Sequence, residues 1–157
     1  MSTLYEDVGG YDGMLRLAEA WHARALADPV VAHAFSHGYR SDHTARLAAY
    51  LAEALGGPPL YTESGGTETE VARIHGGNGP HEEMDRLGIA CFDQAIRDVG
   101  LDPRAHPGDR LHELWAEGIR RFGEHTGGVE DIPEGLGIPR FDGGRRVQDD
   151  GPGAAPG

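Results

Sequence analysis

Lysine is absent from this 157-residue chain. All 14 basic residues are arginine, set against 26 acidic ones, and the formal net charge is −12. A surface so acidic repels phosphate backbones, which argues against a nucleic-acid partner. Cysteine is nearly absent too: Cys91 stands alone, so no disulfide can close within the chain, and a cytoplasmic setting is the simplest expectation. No run approaches the 18 apolar residues that a membrane-spanning helix needs, so no membrane partner is expected. The opening Met1-Ser-Thr-Leu-Tyr-Glu-Asp7 has neither the basic region nor the apolar stretch of a signal peptide. Strand patterning is missing as well: no segment shows a convincing period of two, and the body reads as all-α.

What is present is a set of helical stripes. Val8-Gly-Gly10 and Asp12-Gly13 read as turn chemistry that stops a short first helix. Met14 to Ala27 then reads as a helix with Met14, Leu17, Ala18, Trp21 and Ala25 on one face, and Asp28-Pro29 ends it. Val30 to Phe35 is a short apolar segment of a turn or two. After the loop that holds His37 and Tyr39, Ser41 or Asp42 can cap a helix. Its stripe is the clearest in the chain: His43, Leu47, Tyr50, Leu51, Ala54 and Leu55. Gly56-Gly-Pro-Pro59 terminates that helix.

Residues 60–70 are polar and read as an irregular crossing segment. Val71-Ala-Arg-Ile-His-Gly-Gly-Asn-Gly-Pro80 comes next, with His75 just ahead of a glycine-rich turn and Pro80 placed to open another helix. That helix has Met84, Leu87, Gly88, Cys91, Ala95 and Val99 as its expected buried stripe. Residues 101–108 read as a linker. Asp109 can cap a last helix with Leu111, Leu114, Trp115, Gly118, Ile119 and Phe122 along one face. Residues 126–157 hold nine glycines and four prolines and read as a largely irregular tail after a domain of residues 1–125. Its Ile132, Leu136, Ile138 and Phe141 offer a short piece that can dock on the body.

Periodicity alone supports a small helical domain and nothing more specific. Nine histidines leave metal or haem ligation open, with solvated side chains as the ordinary fate of each. The order and spacing of several segments, however, resemble the truncated haemoglobins, and within them group II. The matching residues are Leu4-Tyr-Glu-Asp-Val-Gly-Gly10, Ala27-Asp-Pro29, Gly56-Gly-Pro58 with Tyr61 close behind, and the pair His75 and Cys91, over roughly residues 3–122. The resemblance implies a shortened globin fold, a two-over-two helical sandwich around haem b.

Carried over by position, the resemblance makes His75 the proximal iron ligand, with His81 as the runner-up. Phe35 falls on the aromatic packed against the haem face, and Leu47 and Tyr50 on positions of the distal pocket. His43 and His22 fall on the two distal positions that meet a bound ligand. Trp21, Met84 and Leu87 complete the apolar wall, and Arg73 and Tyr61 are candidates for the propionates. The chain departs from group II at telling places. His22 stands where a tyrosine is usual, Gly88 where a tryptophan is usual, and Gly76-Gly-Asn-Gly79 replaces a more apolar segment. One extra residue lies between Gly57 and His75.

The function so implied is a haem protein that binds oxygen, nitric oxide or carbon monoxide, with room for redox chemistry on nitric oxide or peroxide. The chain has no flavin or nicotinamide signature, so reduction would need an outside electron donor. A different class stays open beside it: a small helical binding or regulatory module without haem, or with a non-haem metal at its histidines.

Overall fold

The computed structural model describes residues 3–35, 38, 41–68, 82–123, 140–142 and 145–147. His75, Arg73 and His81 lie outside the described residues, as do His37, Tyr39 and His125.

Helix α1 (Leu4–Asp7) is one turn long, and the Thr3 hydroxyl caps it by accepting from the Glu6 amide at 3.1 Å. Helix α2 (Gly10–Ala27) begins directly after Gly9, whose φ of 105° turns the chain at once. The helix therefore starts four residues earlier than its apolar stripe, and Asp12-Gly13 lies inside it rather than in a turn. Gly13 serves a different need: a Cβ there would sit 2.1 Å from the Val8 carbonyl oxygen. Glycine at this position lets α1 and α2 meet backbone to backbone.

Asp28 ends α2 in extended geometry before Pro29, as the sequence requires. Its carboxylate then accepts from the amides of Val30 and Val31 at 2.9 and 3.1 Å. Those bonds open a 3-10 helix (Val31–Phe35) that carries Phe35 at its end. Helix α3 (His43–Ala54) starts after Asp42 and closes on Gly56, with the Gly57 amide donating to the Ala52 carbonyl at 2.8 Å. A single turn, α4 (Leu60–Glu63), interrupts the stretch expected to be irregular.

Helix α5 (Glu82–Asp98) has Glu82, Glu83 and Asp85 in its first turn, where anions suit the helix dipole. Its buried face is Gly88, Cys91, Phe92, Ala95 and Ile96. The stripe expected from periodicity is thus too narrow: Phe92 and Ile96 are fully buried, while Met84 and Val99 are half-buried. Helix α6 (Gly108–Gly123) buries Leu111 and Leu114 and stacks Trp115 flat on Phe92, with ring centroids 4.1 Å apart.

Helix α2 packs on both α3 and α5, and α6 packs on α5. Met14, Leu17, Leu51, Leu55, Phe92, Ile96 and Leu111 fill the space between them. An Arg24–Asp98 pair, two bonds of 2.8 Å, ties α2 to the end of α5 at the surface. In the tail, Arg140–Asp142 and Arg145–Val147 pair as an antiparallel hairpin, β1 and β2, which the sequence did not announce. Among the described residues no helix is long and apolar enough to cross a membrane.

Candidate haem site

Three elements converge on one cluster of rings. Trp21 and His22 are neighbours on α2, Phe35 ends the 3-10 helix, and His43 is the first residue of α3. The His22 and His43 rings lie 5.0 Å apart between centroids. Each meets Phe35 edge to face, at 5.5 and 5.3 Å. Trp21 lies beside His43 at 6.2 Å with its plane inclined by 27°, and touches Phe35 at 6.0 Å. On its other side Trp21 contacts Trp115 at 5.0 Å, which joins the cluster to the stacked Phe92 and the main core. His22 Nε2 and His43 Nδ1 are both closed off from solvent. Leu87 and Cys91 of α5 pack beneath Trp21 and Phe35, with Ala25 and Val31.

This interior is not a sealed hydrocarbon core. It contains two imidazoles, and the indole N–H groups of Trp21 and Trp115 are buried without a hydrogen-bond partner among the described residues. Gly88 of α5 is buried, yet among the described residues a Cβ added there would meet just Ile119 Cδ1, at 3.8 Å. The helix thus presents backbone rather than bulk. Aromatic walls, two nitrogen donors and an unfilled helix face fit a large flat apolar group with a polar centre. Haem has that character, so the described residues fit it. Among them no group of three His, Cys, Asp or Glu side chains is arranged to hold a metal ion.

Several residues singled out from sequence lie outside the ring cluster. Leu47 is half-buried against the main core, one turn beyond His43 on α3. Met84 is half-buried in the first turn of α5. Tyr61 is 4% exposed; Arg46 donates to its hydroxyl at 3.4 Å and lies over its ring. Cys91 is buried, with its thiol 3.8 Å from the Arg24 carbonyl, and burial raises its pKa, which keeps it a thiol. His106 and His112 face outward and pair with Asp7 at 3.1 Å and Asp93 at 2.6 Å.

Tyr50 does not join the ring cluster either. It is edge-on to Tyr61 at 5.6 Å, and its hydroxyl donates to Glu68 at 2.8 Å. Arg121, in the last turn of α6, reaches the other oxygen of the Glu68 carboxylate at 2.5 Å and the Tyr50 hydroxyl at 3.4 Å. Burial, and then the Glu68 charge, hold the Tyr50 hydroxyl far above the usual phenol range. Glu68 itself is 4% exposed, and burial raises its pKa although Arg121 opposes the shift. Sequence reading missed Glu68 and Arg121 altogether.

The sequence profile of the bacterial-like globins matches residues 3–114, about 70% of the chain. The chain belongs to that family. Among solved structures, it resembles the group II truncated haemoglobin from Bacillus anthracis, at 22% identity over 78% of this chain and 96% of that one, with a TM-score of 0.67. It resembles equally a thermostable haemoglobin from the actinobacterium Thermobifida fusca, at 25% identity over 77% and 96% of the two chains, with a TM-score of 0.65. A truncated oxygen-avid haemoglobin from Bacillus subtilis matches at 22% identity, 77% and 98% coverage and a TM-score of 0.65. No curated protein matches the sequence. The helical body is therefore a truncated globin fold, two helices packed over two, as the resemblance to that family implied. Membership of the globins carries with it haem as the cofactor.

Proposed function

We propose that this globin holds haem b through His75 and binds a small diatomic molecule, oxygen first among them, on the face lined by His22 and His43. The observation that carries the reading is the contact between those two imidazoles inside a ring cluster built from α2, α3 and the 3-10 helix. Haem, when bound, would supply an iron able to take an imidazole and a diatomic ligand.

The chain's own residues do the rest. His75 would offer the neutral ring nitrogen. Three of the four residues after it are glycines, which carry no side chain that would shield a carbonyl, and a carbonyl accepting from the second ring nitrogen would fix a ligand's tautomer and orientation. On the opposite face, a neutral imidazole offers one N–H donor and one acceptor. His43 or His22 thus donates to a polar diatomic ligand, and its neighbour supports that orientation. Phe35 and Trp21 keep water from the pair. Arg73 and Tyr61 remain the candidates for the propionates, with Arg46 already on Tyr61.

The adjacency of the histidines also favours a redox use of the same site. One imidazole would take a proton from peroxide while the second donates a hydrogen bond, with electrons from an external donor. The proposal is tested by adding haemin to the purified protein. It expects a Soret band that His75→Ala loses or alters in ligation, and a change of spin state or of oxygen dissociation in His22→Ala or His43→Ala. A protein that takes up no haemin is instead a haem-free helical module.

A further inference from the structure

Two tryptophans join the ring cluster to the main core. Trp21 of α2 lies 6.2 Å from the His43 ring and 6.0 Å from Phe35 between centroids. Its other side meets Trp115 of α6 at 5.0 Å, with the planes inclined by 57°. Trp115 in turn stacks on Phe92 at 4.1 Å, the two planes 5° apart. A continuous run of aromatic contacts thus leads from the two imidazoles to α6. Trp115 is half-buried, so part of its surface stays open to solvent.

The indole N–H groups of both residues are buried without a hydrogen-bond partner among the described residues. That is a costly way to build a core. A buried indole N–H ordinarily finds an acceptor, and a donor left without one costs about 1–3 kcal/mol. Phenylalanine would pack in the same layer with no polar atom to satisfy. Packing therefore gives no reason for tryptophan at two touching positions, whereas redox chemistry does. Indole gives up one electron far more readily than a benzene ring. With no acceptor beside it, the N–H keeps its proton. The oxidised ring is then a cation that one electron restores, with no proton to recover. The flat stack on Phe92 holds Trp115 in one orientation.

We propose that Trp21 and Trp115 form an electron relay between the His22–His43 face of the site and the surface of α6. This rests on the peroxide reading given above and supplies its route for electrons. Hydrogen peroxide on that face takes up two electrons and two protons, its O–O bond breaks, and two waters leave. Each electron comes from Trp21, which Trp115 refills. Trp115 is refilled by a phenol in solution, which loses one electron and one proton. Two phenols thus become two phenoxyl radicals for each peroxide consumed. Tyr50 and Tyr61, edge to face on each other at 5.6 Å, are the competing oxidisable pair.

The experiment uses the full-length ferric protein loaded with haemin and mixed with hydrogen peroxide. It reads the Soret band, the protein radical by freeze-quench electron paramagnetic resonance, and the position of a nitroso spin trap by peptide mass spectrometry. The wild type is expected to show a tryptophan radical, with the trap on Trp115. Trp115→Phe, which keeps an aromatic ring against Phe92, is expected to keep the Soret band, lose that radical and oxidise the phenol more slowly. Trp21→Phe is expected to lose the Trp115 adduct although Trp115 is still present. Should either variant fail to fold, the trap position in the wild type decides. A wild type whose Soret band responds to peroxide but which gives no tryptophan radical, or carries the trap on Tyr50 or Tyr61, overturns the relay alone, and so does a Trp115 adduct that survives Trp21→Phe. A wild type with no Soret band, or with a band that peroxide leaves unchanged, overturns the redox reading and the relay with it.

Discussion

Removing His22 and His43 singly and together tests whether the pair acts as one unit at the ligand. A net hydrogen bond to a bound polar molecule contributes about 1 kcal/mol, or up to about 3 if the acceptor carries charge, and 1.4 kcal/mol is a tenfold change. The two rings are 5.0 Å apart between centroids and share Phe35 as a common neighbour. Residues in contact with a shared partner are not additive, with coupling of about 0.5–3 kcal/mol. In either single alanine variant the remaining imidazole is still adjacent, and the space vacated by a side chain of this size admits a water, which recovers part of the lost bond. Each single substitution should therefore raise the oxygen dissociation rate by less than about tenfold. The double variant should raise it by more than the product of the two, with coupling of about 0.5 kcal/mol or more.

The assay is stopped-flow displacement of oxygen from the ferrous haem-loaded protein, run on all four members of the cycle at one pH. A double variant that releases oxygen at the wild-type rate refutes any role for these histidines at the ligand. Strictly additive effects refute the sharing: the two rings would then act separately in spite of their contact.

The geometry sets three further outcomes. Gly13→Ala should lower stability by about 2 kcal/mol, since the new methyl would overlap the Val8 backbone, and overpacking against backbone at the upper end, about 3 kcal/mol, outweighs a helix-propensity gain of about 1; a urea midpoint at or above wild type contradicts this. Gly88→Ala should raise the stability of the haem-free protein by about 1 kcal/mol, because its methyl meets Ile119 at an ordinary 3.8 Å and replaces a mid-helix glycine; a loss would show that the space beside Gly88 is already filled. Glu68 has a pKa raised above its ordinary 4.5, so the folded state holds its proton longer than the unfolded chain does. Stability should accordingly fall as pH rises from that ordinary value towards the raised one, and Glu68→Gln should lack this fall in urea titrations across pH 4–8; parallel pH profiles for the two proteins contradict the assignment.

The helical body is readable in the sequence because its signals are local. Asp28-Pro29 stops α2 by steric rule, Gly56-Gly57 closes α3, and period alone puts Leu51, Ala54 and Leu55 on its buried face. The start of α2 is misread because a glycine carries two meanings. Gly9 has a positive φ and turns the chain, whereas Gly13 is helical and admits a neighbouring carbonyl. The distinction depends on what lies opposite each residue, which no window of sequence contains. The ring cluster is half readable: spacing puts His43 on an apolar face, but the meeting of His22, Phe35 and His43 joins three elements through the packing of α2 on α3.

Glu68 and Arg121 mark the other limit. In sequence, Glu68 sits in a run of polar residues and Arg121 in an arginine pair near a helix end, and both patterns ordinarily mean solvated charge. Glu68 is buried and Arg121 half-buried, and the two meet only in the fold. A carboxylate this enclosed is tolerable when a guanidinium and a phenol satisfy it, and neither partner is within 15 residues in the chain. The core already has Phe92, Leu51, Leu55 and Ile96 for stability, so the ion pair adds constraint more than free energy. That constraint falls on α3, the helix that begins with His43, and on the last turn of α6.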